Sequence, residues 1–280
     1  MSSAGSPVRP SLGKGDKVRE EYFGELYRQV VKELEEALPG VSWPSSPPEE
    51  GPPPAGQGPD LLRLIDHTAL KPETTATDIR RLCEEALTLG FYSVCVSPCW
   101  VKLASSLLEG SPVRVCTVIG FPHGTTTTLA KVTEAVEAVA GGAAELDMVL
   151  NVGALKGRDL RRVWEDIARV REAAGEGRVL KVILETSLLE DREKILGALV
   201  AVGAGADFVK TSTGFGGGGA TAADVNLLRR TVGSRAGVKA SGGIRNLATA
   251  LDMVRAGANR IGTSSGVRIA RELAASKGEK

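Results

Sequence analysis

The chain lacks an excess of either charge. Lys and Arg together number 35 against 34 for Asp and Glu, a formal net charge of +1. A nucleic-acid coat or an anionic membrane surface selects for a basic surplus, so neither is expected as a partner. Long apolar runs are missing too. Nothing approaches the roughly 20 consecutive apolar residues of a membrane helix, and the first residues lack the basic-then-apolar order of a secretion signal. A cytoplasmic protein is expected. Histidine is scarce, with only His67 and His123; a His-rich metal centre is excluded, and no C-x-x-C pair offers zinc ligands. The cysteines Cys83, Cys95, Cys99 and Cys116 lie inside apolar runs rather than in a spaced framework, the pattern of reduced structural thiols.

What is present divides unevenly along the chain. Ten of the 14 prolines fall in residues 1–59, and residues 44–59 are dominated by Pro, Gly, Ser and Glu, a linker composition with little to bury. Ahead of the linker, Val18, Tyr22, Phe23, Leu26, Val30, Leu34, Ala37 and Leu38 recur at helical spacing and predict one amphipathic helix over residues 17–38. Glu20, Glu21 and Glu25 count against a mitochondrial transit peptide. Residues 1–59 therefore read as an N-terminal extension, and residues 60–280 as the main domain.

From Leu61 onward, short Val- and Ile-rich runs alternate with longer helical patterns. Strands are expected near 62–66, 92–97, 113–119, 144–149, 179–185, 206–211, 236–241 and 259–263, with helices over 77–89, 127–140, 159–173, 191–202, 222–232 and 247–256. Eight strands joined by helical crossovers predict an α/β fold, a closed (β/α)8 TIM barrel. An open doubly wound sheet is the rival, but no G-x-G-x-x-G follows the first strand and no acidic ribose partner stands out.

Reactive groups in such a barrel collect at the carboxyl ends of strands. In Asp207-Phe208-Val209-Lys210-Thr211, the period of two turns Lys210 inward with Phe208. In Gly237-Val238-Lys239-Ala240-Ser241, the same phase turns Lys239 to the axis. Two neighbouring ammonium groups disfavour each other, and partial desolvation adds to that; both lower a lysine from about 10.4 toward neutrality. An uncharged amine is the form that attacks a carbonyl. In Glu145-Leu146-Asp147-Met148-Val149 both acids share the inner face, and Asp147, nearer the catalytic end, can hold Lys239 charged and relay protons with it. Glu145 reads as a structural ion-pair partner deeper in the barrel.

Ser241-Gly242-Gly243-Ile244-Arg245 ends the seventh strand and Gly262-Thr263-Ser264-Ser265 ends the eighth. Loops at these two ends, with a helix amino terminus, form phosphate sites in many barrels. Gly214 and the run Gly216 to Gly219 add a loop that reads either as further amide donors or as a mobile turn. Asp66 and Thr68 at the first strand and Cys95 in the second are candidates to line a substrate pocket, whereas His67 reads as a packing histidine.

Residues 60–270 resemble the deoxyribose-phosphate aldolases, a class I aldolase family, through Ala206 to Phe215, Ile65 to Thr68 with Leu70-Lys71-Pro72, Val118 to Gly124, Glu145 to Val149, Val238 to Arg245 and Arg260 to Ser264. The resemblance implies Lys210 as the Schiff-base lysine and Asp147 with Lys239 as proton relay. It implies Gly214, Gly242, Gly243, Arg245, Gly262, Ser264 and Ser265 at the substrate phosphate, and Asp66, Thr68, Cys95 and Thr211 near the sugar. It implies deoxyribose phosphate catabolism without metal or organic cofactor, because the iminium is itself the electron sink, and a homodimer or homotetramer. The segment before Asp60 has no counterpart in the family pattern. Two other readings stay open at this stage: another Schiff-base sugar-phosphate aldolase or transaldolase, and a barrel that binds phosphometabolites without catalysis.

Overall fold

The computed structural model describes residues 14–48 and 59–278. Eight parallel strands close into a barrel in chain order. They are β1 (Ile65–Ala69), β2 (Ser93–Val96), β3 (Arg114–Ile119), β4 (Glu145–Val149), β5 (Val179–Ile183), β6 (Phe208–Lys210), β7 (Gly237–Ser241) and β8 (Arg260–Thr263). The crossovers carry α2 (Ala76–Leu89), α3 (Val101–Leu107), α4 (Thr128–Ala140), α5 (Val152–Lys156), α6 (Leu160–Ala174), α7 (Asp191–Gly203), α8 (Ala222–Val232) and α9 (Leu247–Arg255), and α10 (Gly266–Gly278) follows the last strand. Local chemistry fixes several helix ends. Thr75 and Asp78 form a reciprocal capping box at the start of α2, and Gly90 ends that helix in the left-handed region.

Each strand splits its residues between two environments. Leu146, Met148, Leu180, Val182, Val209 and Val238 are fully buried between sheet and helices, while the alternate positions carry Glu145, Asp147, Lys181, Lys210 and Lys239. Pairing then sets these inward groups side by side: Asp147 lies in register with Val118 and Lys181, and Lys210 with Ile183 and Lys239.

The expected first strand over 62–66 is displaced. Residues Pro59–Leu64 form a 3-10 turn and the strand runs Ile65–Ala69. The leucines Leu61, Leu62 and Leu64 read as strand by composition alone, yet a short apolar run does not distinguish a strand from a tight helical turn. The true strand looks polar because its side chains face the barrel interior and α2 rather than two apolar layers. Helices α3 and α5 add to the stretches named from the sequence, and α10 follows the eighth strand as expected.

Outside the barrel, α1 (Lys14–Ala37) lies across α7 and α6. Phe23, Tyr27, Val30, Val31, Leu34 and the following Leu38 are buried there. Its rim is tied by Glu33 to Arg192 at 2.5 Å and by Glu20 to Arg230 at 2.7 Å, and the Arg235 guanidinium donates to the Tyr27 hydroxyl at 3.2 Å. Under this cover, α7 is buried nearly all round, from Ile195 to Ala201. A helix apolar on every side is stable only where every side is covered.

Candidate active site

Asp147 is the hub at the carboxyl end of the barrel. Its Oδ2 accepts from Lys210 at 2.8 Å and from Lys239 at 2.7 Å, while its Oδ1 accepts from Lys181 at 2.8 Å. A second tier lies beneath. Lys181 pairs with Glu145 at 2.6 Å, Lys239 with Asp66 at 2.5 Å, and Arg260 bridges Asp66 at 3.0 Å and Glu145 at 2.9 Å. The Arg260 guanidinium also covers the Tyr92 ring at 3.5 Å.

The electrostatics follow from the pairing. Burial alone pushes the Asp147 carboxyl up, but Lys181, Lys210 and Lys239 outweigh it and hold the group well below the usual carboxylate range. Burial likewise opposes charge on Lys239, yet Asp147 and Asp66 raise it above the ordinary lysine value; Lys181 is raised in the same way. Lys239 is thus held charged by Asp147, as the sequence suggests, and by Asp66 as well, and the mutual repulsion of neighbouring ammonium groups does not prevail there. Four cations, Lys181, Lys210, Lys239 and Arg260, face three carboxylates, Asp66, Glu145 and Asp147. Fully ionised, the cluster carries one surplus positive charge.

A cavity of about 1090 Å³ opens above it. Lys210 lies on its wall with 3% of its surface exposed; Lys181 and Lys239 are sealed at 0%. Gly214 after β6, Gly242, Gly243 and Arg245 after β7, and Gly262, Ser264 and Ser265 after β8 all border this same space, as does Thr68. Three sequence candidates sit elsewhere. Asp66 is fully buried in the ion cluster, where it pairs with Lys239 and Arg260 instead of reaching the cavity. Thr211 is turned away from the cavity and exchanges hydrogen bonds with the Ser241 backbone, both at 3.1 Å, locking β6 to β7. Cys95 packs with Cys116, Val118, Leu70 and Phe121. Sequence reasoning passed over Lys181 and Arg260. For Lys181 the signal was present, since a lysine alternating with Leu180 and Val182 has the same parity as the other inward groups.

Cys95, Cys116 and Asp147 bring three potential ligand atoms within 4.8 Å of one another. The donor set does not suit a metal ion, because both Asp147 oxygens already face ammonium groups and a further cation would meet their repulsion. The turn Gly262-Thr263-Ser264-Ser265-Gly266 has the spacing of a hydrolase nucleophile elbow. Among the described residues no hydrogen bond joins either serine to a histidine; the His67 Nε2 faces Glu85 at 2.7 Å.

A (β/α)8 barrel with a buried lysine at its cavity wall, hydrogen-bonded to a carboxylate that holds a second lysine, is an arrangement suited to carbonyl chemistry. The comparisons narrow this. The family described as DeoC/LacD family aldolase matches residues 61–272, and the chain belongs to that family. It is 57% identical over 215 residues to deoxyribose-phosphate aldolase 1 of Bacillus licheniformis, covering 77% of this chain and 96% of the relative. It is 58% identical over 210 residues to the Brevibacillus brevis deoxyribose-phosphate aldolase, covering 75% and 95%. Among solved structures, the tetrameric deoxyribose phosphate aldolase of Aeropyrum pernix superposes with a TM-score of 0.72 at 34% identity, over 88% of this chain and 97% of that one.

Proposed function

We propose that the protein reversibly cleaves 2-deoxy-D-ribose 5-phosphate to D-glyceraldehyde 3-phosphate and acetaldehyde through a Schiff base on Lys210. One observation carries the assignment of the nucleophile: of the three amines bound to Asp147, only that of Lys210 borders the cavity. The charge count supports it. Fully ionised, the four cations outnumber the three carboxylates by one, and Lys210 is the one whose amine opens on the cavity.

The neutral amine attacks C1 of the open-chain sugar, and loss of water leaves an iminium. The iminium draws the electrons of the C2–C3 bond as the C3 hydroxyl proton passes, directly or through water, to the Asp147 carboxylate that Lys239 holds in place. Glyceraldehyde 3-phosphate departs; the enamine is reprotonated at C2 and hydrolysed to acetaldehyde, restoring Lys210. No electron sink beyond the iminium is required. Backbone amides at Gly214, Gly242, Gly243, Gly262, Ser264 and Ser265, with Arg245, form the phosphate grip, and Thr68 contacts the sugar. Asp66, Thr211 and Cys95 act from behind this surface.

Borohydride reduction in the presence of substrate is the test. A covalent adduct mapped to Lys210 is expected, and an unmodified Lys210 would leave only a binding protein. Acetaldehyde release, rather than dihydroxyacetone transfer, separates this activity from that of a transaldolase. Cytoplasmic action fits a phosphorylated substrate, and among the described residues no helix is long and apolar enough to cross a membrane. Assembly as a homodimer or homotetramer follows the tetrameric Aeropyrum pernix relative; sedimentation would measure it.

A further inference from the structure

We propose that Glu185, which does not line the cavity, is a positioning residue that sets the β6–α8 loop in its phosphate-binding shape. The proposal rests on the phosphate reading above and assigns that site a support from the neighbouring strand.

Glu185 lies two residues beyond β5 with φ 57 and ψ 63. Only it and Arg158 among the described non-glycine residues have positive φ. Such backbone is strained and persists where the surroundings enforce it. A second cost falls on the same residue: Glu185 is 4% exposed, and its Oε1 is buried without a hydrogen-bond partner among the described residues. A buried acceptor left without a partner loses its solvation and gains nothing in return. Two unfavourable terms at one position argue that the side chain serves something other than stability.

Its other oxygen shows what that is. Glu185 Oε2 accepts from the Thr213 hydroxyl and from the Thr213 N–H at 3.2 Å. The hydroxyl proton being committed, the Thr213 oxygen accepts from the Phe215 N–H at 3.0 Å. One carboxylate thus fixes the backbone on both sides of Gly214, which bends at φ +84 on the cavity wall. The glycines that follow are seated against the same support. A Cβ at Gly216 would lie 2.8 Å from the Glu185 carboxyl, one at Gly218 2.3 Å from Ser187, and one at Gly219 2.5 Å from the Gly242 carbonyl oxygen. The loop is therefore packed between the β5 and β7 ends, with no room for a Cβ at Gly216, Gly218 or Gly219.

The test compares wild type, Glu185→Ala and Glu185→Gln on 2-deoxyribose 5-phosphate and on unphosphorylated 2-deoxyribose, with inorganic phosphate as inhibitor. The Gln amide oxygen can still accept from Thr213. In Glu185→Ala, the KM for the phosphorylated sugar and the inhibition constant of phosphate should both rise about tenfold or more, the loss of one to two hydrogen bonds. kcat/KM on the unphosphorylated sugar should stay within about twofold by the same reasoning, and Glu185→Gln should recover most of the loss. Equal losses on both sugars would reduce Glu185 to a structural residue and overturn the proposal. A wild-type enzyme indifferent to the phosphate group would instead refute the phosphate reading beneath it. Should Glu185→Ala not fold, Thr213→Val removes the hydroxyl part of the link and leaves only the backbone N–H bond; the rise in Tm that phosphate confers on wild type should shrink, and an unchanged rise overturns the proposal.

Discussion

At the scale of single residues, Asp147 holds together charges that would otherwise repel. Asp147→Asn leaves three buried amines short of a partner, so a loss of about 3–5 kcal/mol is expected in chemical denaturation, with turnover down about 10²–10⁴-fold from the missing proton acceptor. Lys210 should behave in the opposite way. Lys210→Met removes the surplus cation and leaves three cations facing three carboxylates, so Tm should hold or rise while borohydride trapping and aldol cleavage vanish. A Tm loss as large as that of Asp147→Asn would contradict the charge count. The acid dependence has a definite sign. Asp147 and Asp66 both titrate below their ordinary range once folded, so their stabilisation is present above about pH 4 and is lost as pH falls through the depressed values. Thermal melts should show an acid limb that is shallower in Asp147→Asn.

At the scale of elements, α1 and α7 stabilise each other. Leu34 is fully buried, and Leu34→Ala should cost about 2–5 kcal/mol by denaturant titration. Deleting residues 1–48 uncovers α7, and we expect a lowered Tm and a tendency to associate, with the Lys210 adduct still forming in whatever fraction stays folded. The strands teach a complementary lesson. The inward phase of Lys210, Lys239 and Asp147 was legible because a pleat alternates with a period of two whatever surrounds it. The position of β1 was not, because Leu61, Leu62 and Leu64 are compatible with a turn, and the strand's polar face gains its partners only from distant strands.

At the scale of the whole molecule, the cavity collects loops from β1, β6, β7 and β8, and the end proposed to hold phosphate includes the exposed Arg245. Arg245→Ala should weaken phosphorylated substrate by about 10- to 100-fold in KM, the worth of a charge-assisted hydrogen bond, while the unphosphorylated sugar is little affected; parallel losses on both would remove Arg245 from the phosphate grip. Sequence alone determined the alternation of strand and helix, the parity that turns acids and lysines to the axis, and the glycine-rich ends of the last strands, since all of these are local in the chain. Only the closed barrel decided which charges meet. It brought Arg260 to Asp66 and Lys181 to Asp147, and it left Lys210 alone of the three amines at the cavity wall. Those partners are set by strand register and ring closure, which depend on contacts between residues far apart in sequence and have no local signature.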